Sequence, residues 1–147
     1  MAALTATRVQ LVLRGTLKKT SFPLAAGVKA WENGMCCIDT AAAGSVKPGA
    51  VSTTLKPIGK FTANVDNSAG TGTVQVGVEL TREVDVEYWD SVTGAGAVTS
   101  ANLFQTVYIA SDHEVTTTST GASPYGVVWA IGPQGYPNAV GVEPIFV

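Results

Sequence analysis

Between Val74 and Tyr88 the chain alternates, residue by residue, between apolar and polar side chains. Val74, Val76, Val78, Leu80, Val84, Val86 and Tyr88 hold the even positions, with Arg82 as the exception; Gln75, Gly77, Glu79, Thr81, Glu83, Asp85 and Glu87 hold the odd ones. Successive side chains of a strand point to opposite faces, so the pattern means β structure, apolar on one face and polar on the other. A straight strand of this length would span about 50 Å, longer than a compact domain of 147 residues is wide. The run must therefore break, and Thr81–Arg82, where the apolar face is interrupted, is the expected place. The two halves are then either paired strands or one strand that crosses between sheets.

The rest of the chain is punctuated for the same fold class. Val9, Leu11 and Leu13 alternate with Arg8, Gln10, Val12 and Arg14, which gives residues 1–21 the character of an arm or an added edge strand. Asn33-Gly34 is a hairpin-turn signal, because both residues accept positive φ. Met35–Asp39 reads as a short buried strand, residues 40–49 as a loop, Ile58–Ala63 as a strand and Asp66–Gly72 as a dense turn cluster. Ser100–Phe104 suits one capped helical turn. Val107 and Ile109 share a strand face, Gly126–Ile131 is an apolar run around Trp129, and Gly132–Asn138 is a Gly/Pro loop. Val140–Val147 closes the chain as a strand that Pro144 places at an edge. No ten-residue helical pattern occurs. The expected fold class is all-β, a sandwich or barrel-like domain over residues 22–147 with an N-terminal arm before it.

Charge bounds the surface. Only 14% of the residues are charged, against roughly 25% in an ordinary soluble domain. Such a surface is either covered in an assembly or solvated by Thr and Ser. The charge is also divided: residues 1–82 carry nine basic and four acidic side chains, and residues 83–147 carry seven acidic side chains and no Lys or Arg. Either the halves compensate within one fold, or a basic segment meets an acidic neighbour, where complementary potentials fix register. The candidate contacts are Arg8, Arg14, Lys18 and Lys19 in and beside the arm, and Glu83, Asp85 and Glu87 on the alternating strand.

Several classes of chemistry are disfavoured. Cys36 and Cys37 are adjacent, so their side chains point to opposite faces of a strand, and no third cysteine exists. A disulfide framework and a Cys-based zinc site are excluded; two reduced thiols, at least one buried, are expected. Val9–Leu13 is too short for a signal-peptide core or a membrane span. A net charge of −2, with basic residues not interleaved with aromatics, argues against nucleic acid. The single histidine, His113, stands between Asp112 and Glu114. Neighbours on a strand cannot converge on one substrate, so the triplet reads as an exposed polar turn. No Gly-x-Ser-x-Gly elbow is present, and the Gly70-x-Gly72 and Gly94-x-Gly96 pairs lack the third glycine of a dinucleotide loop. Carboxylates at Glu83, Asp85 and Glu87 are spaced roughly 7 Å apart along a strand, too far to share one calcium ion. No metal, no cofactor and no enzymatic activity are expected. Trp31, Trp89, Trp129, Tyr125 and Tyr136 read as core or interface aromatics, weighed against a sugar-binding platform.

An ordered set of short motifs then carries a family likeness. Phe22-Pro-Leu-Ala-Ala-Gly-Val-Lys, Trp31-x-x-Gly34 and the apolar strand ending at Asp39 come first, followed by Pro48-Gly49 and Ile58-Gly59. Val65-Asp66-Asn67-Ser68-Ala69-Gly70 with Val74-x-Val76-x-Val78 is the most specific piece. Leu103-x-x-Thr106-Val107-Tyr108-Ile109-x-x-Asp112, Glu114-Val115 and Gly126-Val127-Val128 complete the order. Over residues 22–131 the chain resembles a family of small virion proteins of tailed phages and prophages. The resemblance implies a capsid cement or head decoration protein, an all-β module on the outside of the head that binds the major capsid protein, often as a homotrimer. It implies synthesis in a host cytoplasm and residence in the virion, without membrane or nucleic-acid partners. The arm and the segment after residue 131 depart from the family pattern. The alternative is a receptor- or glycan-binding module of a phage tail or fibre.

Overall fold

The computed structural model describes residues 19–70, 73–80, 86–132 and 136–145. Arg8, Arg14 and Lys18 of the arm lie outside these residues, as do Glu83 and Asp85 and the expected bend at Thr81–Arg82. Among the described residues the secondary structure is β strand and one short 3-10 turn, Ser100–Asn102. That turn carries the expected cap: the Thr99 hydroxyl accepts from the Ala101 N–H, and the Asn102 side chain accepts from the Thr99 N–H.

Two β bodies make up the fold. The first is an antiparallel five-stranded sheet built from β1 (Lys19–Pro23), β3 (Met35–Asp39), β4 (Val46–Pro48), β5 (Leu55–Phe61) and β7 (Gln75–Leu80), in the order β1-β7-β5-β3-β4. A two-stranded ribbon, β2 (Lys29–Ala30) with β6 (Val65–Asp66), accompanies it. The second is a closed barrel of β8 (Glu87–Ser91), β9 (Thr106–Ile109), β10 (Glu114–Thr116), β11 (Pro124–Ile131) and β12 (Ala139–Pro144). Its only parallel contact is β8 with β10.

β3 serves both bodies. Cys36 packs with Leu24, Ala30, Val46, Phe61, Val76 and Val78 in one core. Met35 and Cys37 face the other way, into a second core with Trp89, Tyr125 and the barrel valines. The adjacent cysteines thus alternate as a strand requires, but both are buried and unbridged. A bulge lets β5 follow: Cys36 pairs with Gly59 and Cys37 with Pro57, leaving Ile58 as the extra residue. That bulge explains a proline in the middle of a central strand. The joint with the barrel is polar as well as apolar. Met35 N–H donates to the Asp112 carbonyl at 2.6 Å, Leu55 N–H donates to Ser123 Oγ at 3.0 Å, and Lys60 Nζ lies 2.7 Å from Glu87 Oε2.

Four expectations are corrected. The two halves of the Val74–Tyr88 alternation are not paired with each other: β7 lies in the open sheet and β8 in the barrel, and the phase of burial reverses between them. Even positions are buried in β7 (Val76, Val78), whereas in β8 Glu87 and Trp89 are buried and Tyr88 is exposed. Joining a second core resets which parity faces inward. Asn33-Gly34 makes a turn, with Asn33 at φ 66° and Gly34 N–H bonded to the Trp31 carbonyl. It is not a hairpin, because β2 pairs with β6 and β3 with β4 and β5. The expected loop at 40–49 contains β4. β12 is not an edge strand: it lies between β8 and β11. Pro144 is tolerated at its end because the adjacent Ile145 N–H turns toward β11, bonding the Tyr125 carbonyl, which leaves the proline nitrogen facing β8 beyond the last pair, Glu87 with Val142.

Candidate functional site

Of the sequence-derived contacts, Lys19 and Glu87 lie among the described residues, and both line one shallow concavity with Lys60 and Glu79. Lys19 opens β1 on the exposed surface. Glu87, expected on a polar outer face, is 11% exposed at its side chain and bonded to Lys60, so its carboxylate is not available to a neighbour. The ammonium of Lys60 also stands 4.7 Å over the Trp89 ring. This Lys60–Glu87 pair joins the basic and acidic parts of the chain; the other Lys–carboxylate pairs among the described residues, Lys29–Asp66 and Lys47–Asp39, lie within the first part.

The most specific piece of the family likeness has a structural task. Asn67 is buried, and its side-chain amide donates to the carbonyls of Leu24 and Ala25. Its own backbone bonds Val28 and Gly27, so one residue pins the loop that follows β1. Of the Asp112-His113-Glu114 triplet, expected as an exposed turn, His113 is exposed while both carboxylates are half-buried and Glu114 opens β10; the carboxylates do converge, because residues 111–113 form a bend before that strand. Asp112 Oδ1 is 2.8 Å from His113 Nδ1, and Glu114 Oε2 is 4.0 Å from Nε2. Asp112 holds the imidazole's pKa above its ordinary value. Ser111 Oγ, the nearest hydroxyl, lies 3.3 Å from the same Nδ1 that Asp112 occupies. A nucleophile and its orienting acid need opposite ring nitrogens, so the cluster is not a triad.

The feature that stands out is an exposed aromatic pair on the barrel, Phe104 and Trp129. Phe104 has φ 63°, a left-handed conformation that a bulky L residue adopts only under constraint. The constraint is visible: Phe104 N–H donates to the Val128 carbonyl at 2.8 Å, and Val128 N–H donates to the Gln105 carbonyl at 3.0 Å. Trp129 is the extra residue of a β-bulge, since β11 pairs Val128 with Val142 and Ala130 with Gly141. A bulge re-aims the side chain it inserts. The two rings meet edge to face, 5.3 Å apart at 87°. Trp129 Nε1 donates to Glu143 Oε2 at 2.7 Å, which satisfies the indole and fixes the ring plane. Phe104 nonetheless remains 67% exposed and Trp129 51%, with Leu103 also on the surface. Two separate backbone irregularities thus hold one apolar pair outward. Sequence reading placed Trp129 among the aromatics but passed over Phe104; neither a left-handed φ at Phe104 nor a bulge inside the unbroken apolar run 126–131 leaves a pattern signal.

A cleft of about 600 Å³ lies between the two bodies. Asn33 and Lys60 line it from the sheet side, and Tyr88, Trp89, Asp90, His113, Tyr136 and Ala139 from the barrel side. Trp89 belongs to the core: it meets Tyr125 edge to face at 5.7 Å. No cluster of three or more His, Cys, Asp or Glu residues able to hold a metal ion occurs among the described residues. No helix there is long and apolar enough to cross a membrane. Comparison with protein-family models, with curated proteins and with solved structures finds no match.

Proposed function

We propose that this chain is a non-enzymatic virion structural protein that binds the major-capsid lattice of a tailed phage and stabilises the head from outside. The observation that carries the reading is the Phe104–Trp129 pair. Large aromatics held rigidly at a surface are the residues that dominate protein–protein binding, because they bury much area at little entropic cost. A chain with 14% charged residues suits a broad protein contact. The ordered likeness over residues 22–131 supplies the partner class. Stabilisation is by mass action: a ligand of the mature lattice alone adds about 2.7 kcal/mol per site at a hundredfold excess over Kd. A trimeric arrangement multiplies the effect through effective concentration.

Co-sedimentation with purified, undecorated heads tests the proposal, with expanded and unexpanded shells side by side. Saturable binding to expanded shells is expected, with Trp129→Ala and Phe104→Ser each weakening it by roughly 30-fold, the size of a hot-spot loss. Absence of binding to either shell, or full binding by both variants, refutes it. Deleting residues 1–18, which leaves β1 intact, asks whether the arm with Arg8, Arg14 and Lys18 adds to the contact. The second reading, a receptor- or glycan-binding module of a tail or fibre, is favoured by the tyrosines of the cleft.

A further inference from the structure

We infer that the cleft between the sheet and the barrel is a binding site for a neutral pyranose sugar; this rests on the glycan-binding reading and on neither Phe104 nor Trp129. Its size lies within the range of small-ligand sites, which favour the seams between structural units. Its aromatic walls are built rather than incidental. Tyr88 pairs directly with Gly141 across the β8–β12 ladder, and a Cβ on Gly141 would stand 3.1 Å from Tyr88 Cε1 and 2.9 Å from Val86 Cγ1. Bare glycine backbone therefore lets the Tyr88 ring settle against β12, and the side chain stays 49% exposed. Tyr136 is 70% exposed at the foot of β12, anchored through its carbonyl to the Ala139 N–H at 3.1 Å. A pyranose presents an apolar C–H face to such rings and hydroxyl groups around its edge.

The polar groups select the class of ligand. Lys60 is paired with Glu87 at 2.7 Å, and His113 bonds Asp112 through Nδ1 at 2.8 Å with Glu114 at 4.0 Å from Nε2, so each basic group of the wall already stands beside a carboxylate that offsets its charge toward an anionic ligand. Asp90 has no hydrogen bond or ion pair from its side chain to another described residue. Its carboxylate is an open double acceptor for neighbouring hydroxyls. A cationic ligand would meet Lys60 and His113 in the same wall. Asn33 adds an amide that both donates and accepts. Acceptors, an amide and aromatic faces, with each basic group beside a carboxylate of its own, match uncharged polyol chemistry.

The test is binding of the full chain to a glycan panel of neutral glucose-, galactose-, mannose- and N-acetylglucosamine-based oligosaccharides, printed beside sialylated and phosphorylated counterparts. At least one neutral glycan is expected to bind in preference to its charged counterparts. Tyr88→Ala, Tyr136→Ala and Asp90→Asn should each lower its affinity at least tenfold, and Tyr88→Phe should retain it. Tyr136 is exposed, so its variant should melt with the parent. Head co-sedimentation of Tyr136→Ala should equal that of the parent. The inference is overturned by silence across the neutral panel at millimolar sugar, by preference for the acidic glycans, or by undiminished binding when Tyr88→Ala and Tyr136→Ala are combined in one chain. Parallel loss of head and sugar binding in Tyr136→Ala also overturns it, because the cleft would then belong to the lattice contact.

Discussion

Replacing Phe104 by alanine and by glycine separates backbone strain from ring contact. At φ 63° the Cβ of an L residue crowds its own carbonyl, at a cost of roughly 1–2 kcal/mol that glycine does not bear. The edge-to-face contact with Trp129 offsets part of that, about 0.5–1.5 kcal/mol, and burial adds little to a side chain that is mostly exposed. Alanine removes the ring and keeps the Cβ; glycine removes both. At an ordinary φ glycine would be the weaker of the two by roughly 0.4–1 kcal/mol, because it frees the unfolded chain. Here the order inverts, and Phe104→Gly should exceed Phe104→Ala by about 1 kcal/mol. That is a difference of about 2–4 °C in Tm for a chain of this length. Urea unfolding followed by tryptophan fluorescence gives the same comparison, provided the two m-values agree. An alanine variant as stable as the glycine variant refutes the strain argument, and with it the claim that the backbone is constrained to present this ring.

Three further outcomes follow from the packing. A Cβ at Gly126 would collide with the Glu143 carbonyl of the neighbouring strand and sit 2.8 Å from Val142 Cγ1; Gly126→Ala should cost on the order of 2–3 kcal/mol, read as a lower urea midpoint. Hydrogen bonds from Lys47, from the Thr54 hydroxyl and from the Ala41 N–H hold the Asp39 carboxyl down to about 2 from an ordinary 3.8. Because the folded value is the lower one, the benefit is full above about pH 4 and lost as pH falls through 2. Asp39→Asn should melt below the parent at pH 7 with the gap closing toward pH 2, and a gap independent of pH would refute the linkage. Burial pushes the Cys36 thiol up, and pushes Cys37 up to about 12 against the pull of Lys47. Neither should react with a disulfide reagent at pH 8 in the folded protein and both should react in denaturant; rapid labelling of the native chain would contradict the two-core description of β3.

What the sequence made legible was the local pattern, and what it hid was the pairing. Met35–Asp39 is a strand at the residues expected, the Thr99–Asn102 cap forms, and the class is all-β. These depend on neighbours in the chain. The parity reversal between Leu80 and Glu87 depends on which core each strand joins, and nothing in the alternation marks a change of core. Glu87 continued the polar face on paper and is buried in fact, because Lys60, 27 positions earlier in the chain, comes to meet it. The bulge at Trp129 and the left-handed Phe104 are likewise products of register with β12 and Val128. A candidate site made of irregularities is what periodicity is least able to show.

The two bodies differ in what they leave open. A closed barrel has no strand edge, so contact through it must use side chains. The barrel carries the rigid aromatic pair and the tyrosines of the cleft. The five-stranded sheet ends in β1 and β4, and β4 is partly covered on its outer side: Leu24, just past β1, makes a parallel bridge to Val46, whose carbonyl accepts from the Ala25 N–H at 2.8 Å. β4 is short, three residues ending in Pro48, and holds Lys47, features that discourage strand addition. β1 lacks that protection along Thr20–Phe22 and follows directly from the arm. Backbone pairing with another chain thus has one open edge, β1, while contact through the barrel rests on side chains alone. The proposed function, with sister copies and a lattice held at once, would draw on this separation, because a change in one contact leaves the geometry of the other untouched.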